Sequence, residues 1–197
     1  MYAEIEQPLE IIEDYIRSCL SNELGENGLL HDVKSYKSIY RDDLTVNTPA
    51  VWLYMDTWQP VEEHIINRAN TRIDLVFPVE VACITHKKTL EKSDKQATSI
   101  QARVIESFIR NWKRVIDEKY HIICTGFRLI EGYTDGNLPS VNQRDSVIIK
   151  GVLIEFYISM DWMRCIRLYD QENENNENND DNSNDNDFIV IGGGTNG

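Results

Sequence analysis

The hydrophobic positions change period several times along the chain, and each change marks an element. Leu9, Ile12, Ile16 and Leu20 recur at three- and four-residue steps, one stripe of an amphipathic helix. Pro8 suits its first turn, where a missing N–H costs nothing. The run from Asn22 to Asn27, with Gly25 and Gly28, ends it, so a helix is predicted over about 8–23. Period two follows. The stretch 33–43 alternates weakly and reads as a short or edge strand. In PAVWLYMDTW (49–58), Val51, Leu53 and Met55 point one way while Trp52, Tyr54 and Asp56 point the other, as a strand requires. After a polar link through Asn67 to Asn70, Ile73, Leu75, Phe77, Val79, Val81 and Cys83 form a longer alternating row, with Asp74 and Glu80 on its opposite face. The two strands are predicted to pair as a hairpin with a long connection, and Pro78 predicts a bulge or an edge location.

Helical spacing then returns. Ser93 or Asp94 can cap the element, and Ile100, Val104, Phe108, Trp112 and Val115 carry it to about Lys119, the longest helix predicted. Two strands close the pattern, 121–132 and 146–162. In the second, Ile148, Val152, Ile154, Phe156, Ile158 and Met160 share a face. The turn-rich stretch 131–145 between them is a loop unusually long for a hairpin. The order helix, two or three strands, helix, two strands predicts an α+β fold, a mostly antiparallel sheet with two helices packed on one face. The other face carries Trp52, Tyr54 and Tyr157, which is apolar enough to predict a covering partner.

This pattern stops near residue 169, and there the charge changes the picture. Between Asp170 and Asp187 stand eight acidic residues and no Lys or Arg. The net charge is −13, so the rest of the chain carries only −5. A 1–169 body and a 170–197 appendage are therefore expected. A mildly acidic body argues against stable, sequence-independent binding to nucleic acid, which needs clustered Lys and Arg, but allows nucleic acid to slide past. The acidic tract cannot bury enough apolar surface to offset its ordering entropy, so an extended, flexible tether is expected. It is followed by Phe188, Ile189, Val190 and Ile191, then by Gly192 to Gly194. A short β-prone segment released by glycines has the form of a strand added to another subunit's sheet edge.

Candidate chemistry is sparse. Cys19, Cys83, Cys124 and Cys165 form no CxxC pair and lie in or beside apolar runs, where cysteine acts as a small hydrophobe. The opening MYAEIEQPLE is acidic, unlike a signal peptide, and no run approaches the ~20 apolar residues of a membrane span. A soluble product of a reducing, intracellular compartment is expected. His31, His64, His86 and His121 lack metal-ligand spacing. The terminal IGGGTNG lacks the Lys-Ser/Thr ending of a phosphate loop. Asp74 and Glu80 share a strand face but lie six residues, about 20 Å, apart. Glu80-Val81-Ala82 also puts Ala where a nuclease-like Glu-x-Lys pattern needs Lys. No catalytic residue, metal or cofactor is assigned.

With chemistry absent, the order of elements carries the reading. The helix PLEIIEDYIRSCL, the strands PAVWLYM and RIDLVFPVEVACITHK, the helix KQATSIQARVIESFIRNWKRVI and the strand VIIKGVLIEFYISMDW together resemble the tail terminator and tail-completion proteins of long-tailed bacteriophages, over roughly 8–167. The resemblance implies a small virion subunit, assembled in the host cytoplasm into a ring, usually hexameric, on the end of the tail tube. Such a ring stops tube polymerisation and faces the head-side neck or connector protein, and DNA passes through it without sequence-specific binding. The family supplies no catalytic residues. The long connection 59–71 and the acidic appendage depart from its pattern. Rival readings are another head–tail neck or completion subunit, and a nuclease-like enzyme using Asp74 or Glu80. If the body is a ring, the loops 56–72 and 131–146 should reach tube or neck proteins. The candidate interface residues are then Trp58, Tyr133 and Leu138, with Phe188, Ile189, Val190 and Ile191 at the terminus. Shortening 134–143 is expected to leave the fold intact.

Overall fold

The computed structural model describes residues 6–38, 47–61, 71–87, 89–139 and 146–161, together with Arg164 and Arg167. Among them the chain forms α1 (Glu6–Ser21), β1 (Ser35–Lys37), β2 (Ala50–Met55), β3 (Gln59–Pro60), β4 (Arg72–Lys87), α2 (Leu90–Asn111), β5 (Val115–Asp117), β6 (Ile122–Pro139) and β7 (Ser146–Asp161). The sheet runs β1-β2-β4-β7-β6-β5, with β3 also beside β4. Among the described strands only the short β1–β2 pair is parallel. The fold is α+β, a curled and mostly antiparallel sheet of seven strands with two helices. The acidic appendage lies outside the described residues.

Strands β4 and β7 are the spine. Their register runs unbroken from Arg72 opposite Asp161 to Lys87 opposite Ser146. The period-two rows predicted for them are the buried ones: Leu75, Phe77, Val79, Val81 and Cys83 on β4, and Val152, Ile154, Phe156, Ile158 and Met160 on β7. Both helices cover this face. Ile12, Ile16 and Leu20 of α1 and Ile100, Val104 and Phe108 of α2 are fully buried in the same core. At its centre the Phe156 ring meets Phe108 at 5.4 Å, Phe127 at 5.5 Å and Tyr15 at 6.5 Å between centroids. The predicted β2–β4 pairing holds, as does the opposition of Val51 and Leu53 to Trp52 and Tyr54.

Four sequence expectations need correction. Helix α2 starts before Ser93 and Asp94, because Thr89 is its N-cap, with its side chain accepting from the Lys92 N–H. It also stops at Asn111 rather than near Lys119. Trp112 is already extended, the Lys113 N–H donates to the Tyr15 hydroxyl, and the Arg114 carbonyl accepts from the Cys124 N–H, so the chain is committed to β5. Pro78 occupies the interior strand β4 without a bulge in its register with β7. Its carbonyl accepts from Asp56 N–H, which puts its missing N–H on the side where β2 has ended at Met55 and β3 has not begun. A ladder bond is not demanded there. Finally, the loop predicted over 131–145 is mostly strand. β6 continues to Pro139, pairing Tyr133 with Gly151 and Leu138 with Val147. Polar turn residues are carried because the long β7 offers them a ladder. Deleting 134–143 would therefore remove ladder residues rather than trim a tip.

The chain leaves α1 through a junction built on Glu23, which is buried. Its carboxylate accepts from the Leu29 N–H at 2.9 Å and from Asn111 Nδ2 of α2 at 2.8 Å, while its carbonyl accepts from the Leu30 N–H at 2.8 Å. Gly28 packs so closely here that a Cβ would overlap the Glu23 backbone. Next to it, Arg103 of α2 forks onto Asp32 at 2.6 and 3.1 Å. That guanidinium holds the Asp32 carboxyl below the usual carboxylate range.

Candidate assembly surface

The helix-free face of the sheet is built by the positions alternate to the core. Trp52, Ala82, Gly151 and Tyr133 stand abreast on β2, β4, β7 and β6, and Tyr54, Glu80, Leu153 and Glu131 form the next row. Ala82 and Gly151 leave a trough across the middle strands. Tyr133 lies in it, over Gly151, and its hydroxyl donates to the Glu80 carboxylate. A Cβ on Gly151 would occupy the space of the tyrosine ring. Further along, Arg128 pairs with Glu155 at 2.8 Å and the Tyr157 hydroxyl donates to the same carboxylate at 2.8 Å. That bond to a carboxylate raises the Tyr157 pKa. Arg72 pairs with Asp74 at 3.3 Å and also donates to Ser159. The face is amphipathic, and Arg72 and Arg128 on it are paired with Asp74 and Glu155.

The two carboxylates weighed as metal ligands are thus occupied by Arg72 and by Tyr133. Among the described residues no group of His, Cys, Asp and Glu is disposed to hold a metal ion. Cys19, Cys83 and Cys124 are buried and reduced. Burial pushes the Cys19 and Cys83 thiols up to about 11 and about 12, the behaviour of packing residues rather than nucleophiles. A cavity of about 490 Å³ lies at the β5–β6 turn, lined by Val115, Asp117, Glu118, His121 and Ile123. Its Asp117 accepts from the Tyr120 N–H and so serves the turn.

A different surface is more distinctive. Beyond Cys124, no described strand pairs with the outer edge of β6. Register shifts at Cys124/Gly126, Leu129/Glu131 and Asp135/Leu138 divide this edge into short regular stretches. Arg128 to Gly132 are exposed, and Leu129 and Ile130 expose 47% and 38% of their surface. Ile109 of α2, 63% exposed, and Trp112 just past the helix end, 40% exposed, are further exposed apolar groups on the α2 side. Between helix and edge runs an open groove of about 240 Å³ lined by Gln101, Ile105, Leu129, Ile130, Glu131, Gly132 and Val152. A bare edge flanked by exposed aliphatic side chains is a template for another strand.

The residues singled out from sequence do not form one site. Trp58, 37% exposed, precedes β3, whose Gln59 lies beside Val76 and, across it, Tyr157. Tyr133 and Leu138 pair with Gly151 and Val147, six and ten residues further along β7. Trp58 is thus separated from Tyr133 by about 20 Å. Tyr133 is half-buried within its own sheet rather than at a loop tip. Leu138 is placed by its backbone alone, and Phe188, Ile189, Val190 and Ile191 lie outside the described residues. Sequence reading missed Leu129, Ile130 and Ile109. The signal was a second row at helical spacing, Ile105, Ile109 and, just past the helix end, Trp112, beside the buried stripe Ile100, Val104 and Phe108. No described helix is long and apolar enough to cross a membrane. No protein-family model matches the chain, and no curated protein sequence matches it.

Proposed function

We propose that the chain is a structural subunit of a closed homo-oligomeric ring, most simply a hexamer, which caps the tail tube of a bacteriophage and joins it to the head-side connector. The observation that carries this reading is the outer edge of β6 beside the apolar α2 groove, a surface that the described residues leave open and a second chain would complete. A closed ring uses up such edges, whereas an open arrangement propagates them. The α+β order agrees with the resemblance to tail terminators. The pairing of Asp74 with Arg72 and of Glu80 with Tyr133 supports a non-enzymatic role over a nuclease-like one. The acidic balance suits a conduit along which DNA passes, because like charge prevents sticking. The tail tube protein, the neck or connector protein and transiting DNA are the proposed neighbours, and the virion is the proposed location. Electron microscopy of the purified full-length protein tests this: closed rings are expected, and a monodisperse monomer that cleaves DNA with a divalent metal would reject it.

A further inference from the structure

We infer that the outer edge of β6 over Gly126–Leu129 is the seat of the Phe188–Ile191 segment of a neighbouring copy, which adds a strand there and lays alternate side chains against the α2 groove. The inference rests on the reading of the chain as a self-assembling subunit and names the contact that reading leaves open.

Length is the first argument. The register shifts at Cys124/Gly126 and Leu129/Glu131 leave Gly126, Phe127, Arg128 and Leu129 as an uninterrupted stretch, so a regular partner strand has room for about four residues before the ladder breaks. The apolar segment 188–191 has four, bounded by Asp187 and by Gly192. Surface chemistry is the second. At its Leu129 end the stretch meets the groove, where Ile105 and Leu129 are aliphatic groups that a β-branched strand would cover. All four residues of the segment are apolar, so either register presents two large side chains to this groove. Charge is the third. The tract that delivers the segment carries eight acidic residues, and Lys113 and Arg114 stand exposed just beyond the end of α2, whereas Arg110 and Arg128 already pair with Glu106 and Glu155.

Reach allows a second copy to be met. From Leu168 to Asp187 the tether spans at most about 65 Å. Like charge extends a chain of this composition. A body of this size is roughly 40 Å across, so the tether is long enough to reach the β6 edge of a neighbouring copy.

The test is a mixing experiment with full-length chains carrying Cys165→Ser, so that Cys19, Cys83 and Cys124, all buried, are the remaining native thiols. One chain carries Arg128→Cys, the other Val190→Cys, and a short flexible bismaleimide is added to the mixture. A cross-linked dimer joining 128 to 190 is expected, and Ile189→Asp with Ile191→Asp should reduce its yield at least about tenfold without changing the thermal unfolding curve. Failure to form the dimer overturns the inference. So does a control chain carrying both Arg128→Cys and Val190→Cys that cross-links only within itself, or a yield indifferent to the aspartates. Rings counted by microscopy in the same samples separate the two readings. Rings without the cross-link remove this contact and leave the ring, whereas the cross-link without rings leaves this contact and removes the ring.

Discussion

Phe156→Ala is expected to lower the unfolding free energy by about 3–5 kcal/mol, the loss seen when a large aromatic side chain leaves a rigid core. Phe156 is fully buried and touches four elements at once: Tyr15 of α1, Phe108 of α2, Phe127 of β6 and, through its register partner Phe77, strand β4. No single neighbour can move into the space without breaking its contact with another element, so collapse is poor and the cavity cost stays high. In a body of this size the melting temperature should fall by roughly 10 °C. The neighbouring Leu153→Ala, on the helix-free face and half-buried, should cost only about 1 kcal/mol. Equal losses from the two substitutions in urea titrations would show that the core does not lie on the helix side of β7.

Glu23→Gln is expected to cost about 2 kcal/mol at neutral pH, and the loss should shrink in acid. Both carboxylate oxygens accept, from the Leu29 N–H and from Asn111 Nδ2, so an amide necessarily sets an NH₂ against one of these donors. Arg110 stands 3.6 Å away. The Leu29 N–H chiefly, then Asn111 and Arg110, hold the Glu23 carboxyl below its ordinary value, against the opposing effect of burial. A depressed folded pKa means that the unfolded chain binds the proton first. The contribution is complete above the ordinary value of 4.5 and disappears as pH falls through the lower folded value. Unfolding of the two proteins should therefore differ most at pH 7 and converge well below pH 4.5. A difference independent of pH would place the loss in packing rather than in the ionised carboxylate.

The elements that period alone identifies are those with one face buried against the helices. The rows of β4 and β7, the α1 stripe and the α2 stripe were legible because a half-buried element must alternate in step with its geometry. What escaped has a tertiary cause. Gly132, Asp135 and Gly136 read as turn residues, yet β6 continues through them because β7 is long enough to pair with every one of its regular stretches. Trp112 and Val115 fit a helical row, but the helix ends where Lys113 meets Tyr15, a residue 98 positions away. The candidate surface was legible only in part. Trp52, Tyr54 and Tyr157 were placed on the correct face. Tyr133 could not be assigned its role, because its partner Glu80 is reached across Gly151 and no spacing in the chain announces that trough. The β6 edge was invisible for a related reason. Exposure of an edge depends on which strand fails to arrive, and β5, with three residues, ends before it can cover the edge.

A chain that stops a tail tube and couples it to the head, as proposed, should set the length distribution of the tubes. Particles should be produced with the chain present, absent, or carrying Ile189→Asp and Ile191→Asp, and imaged by electron microscopy. With the chain present, tubes of one length joined to heads are predicted. Without it, tubes should lose their uniform length and remain unjoined, and the aspartate variant should fall between the two. Tubes of normal length on infectious particles in the absence of the chain would rule out a tube-capping role.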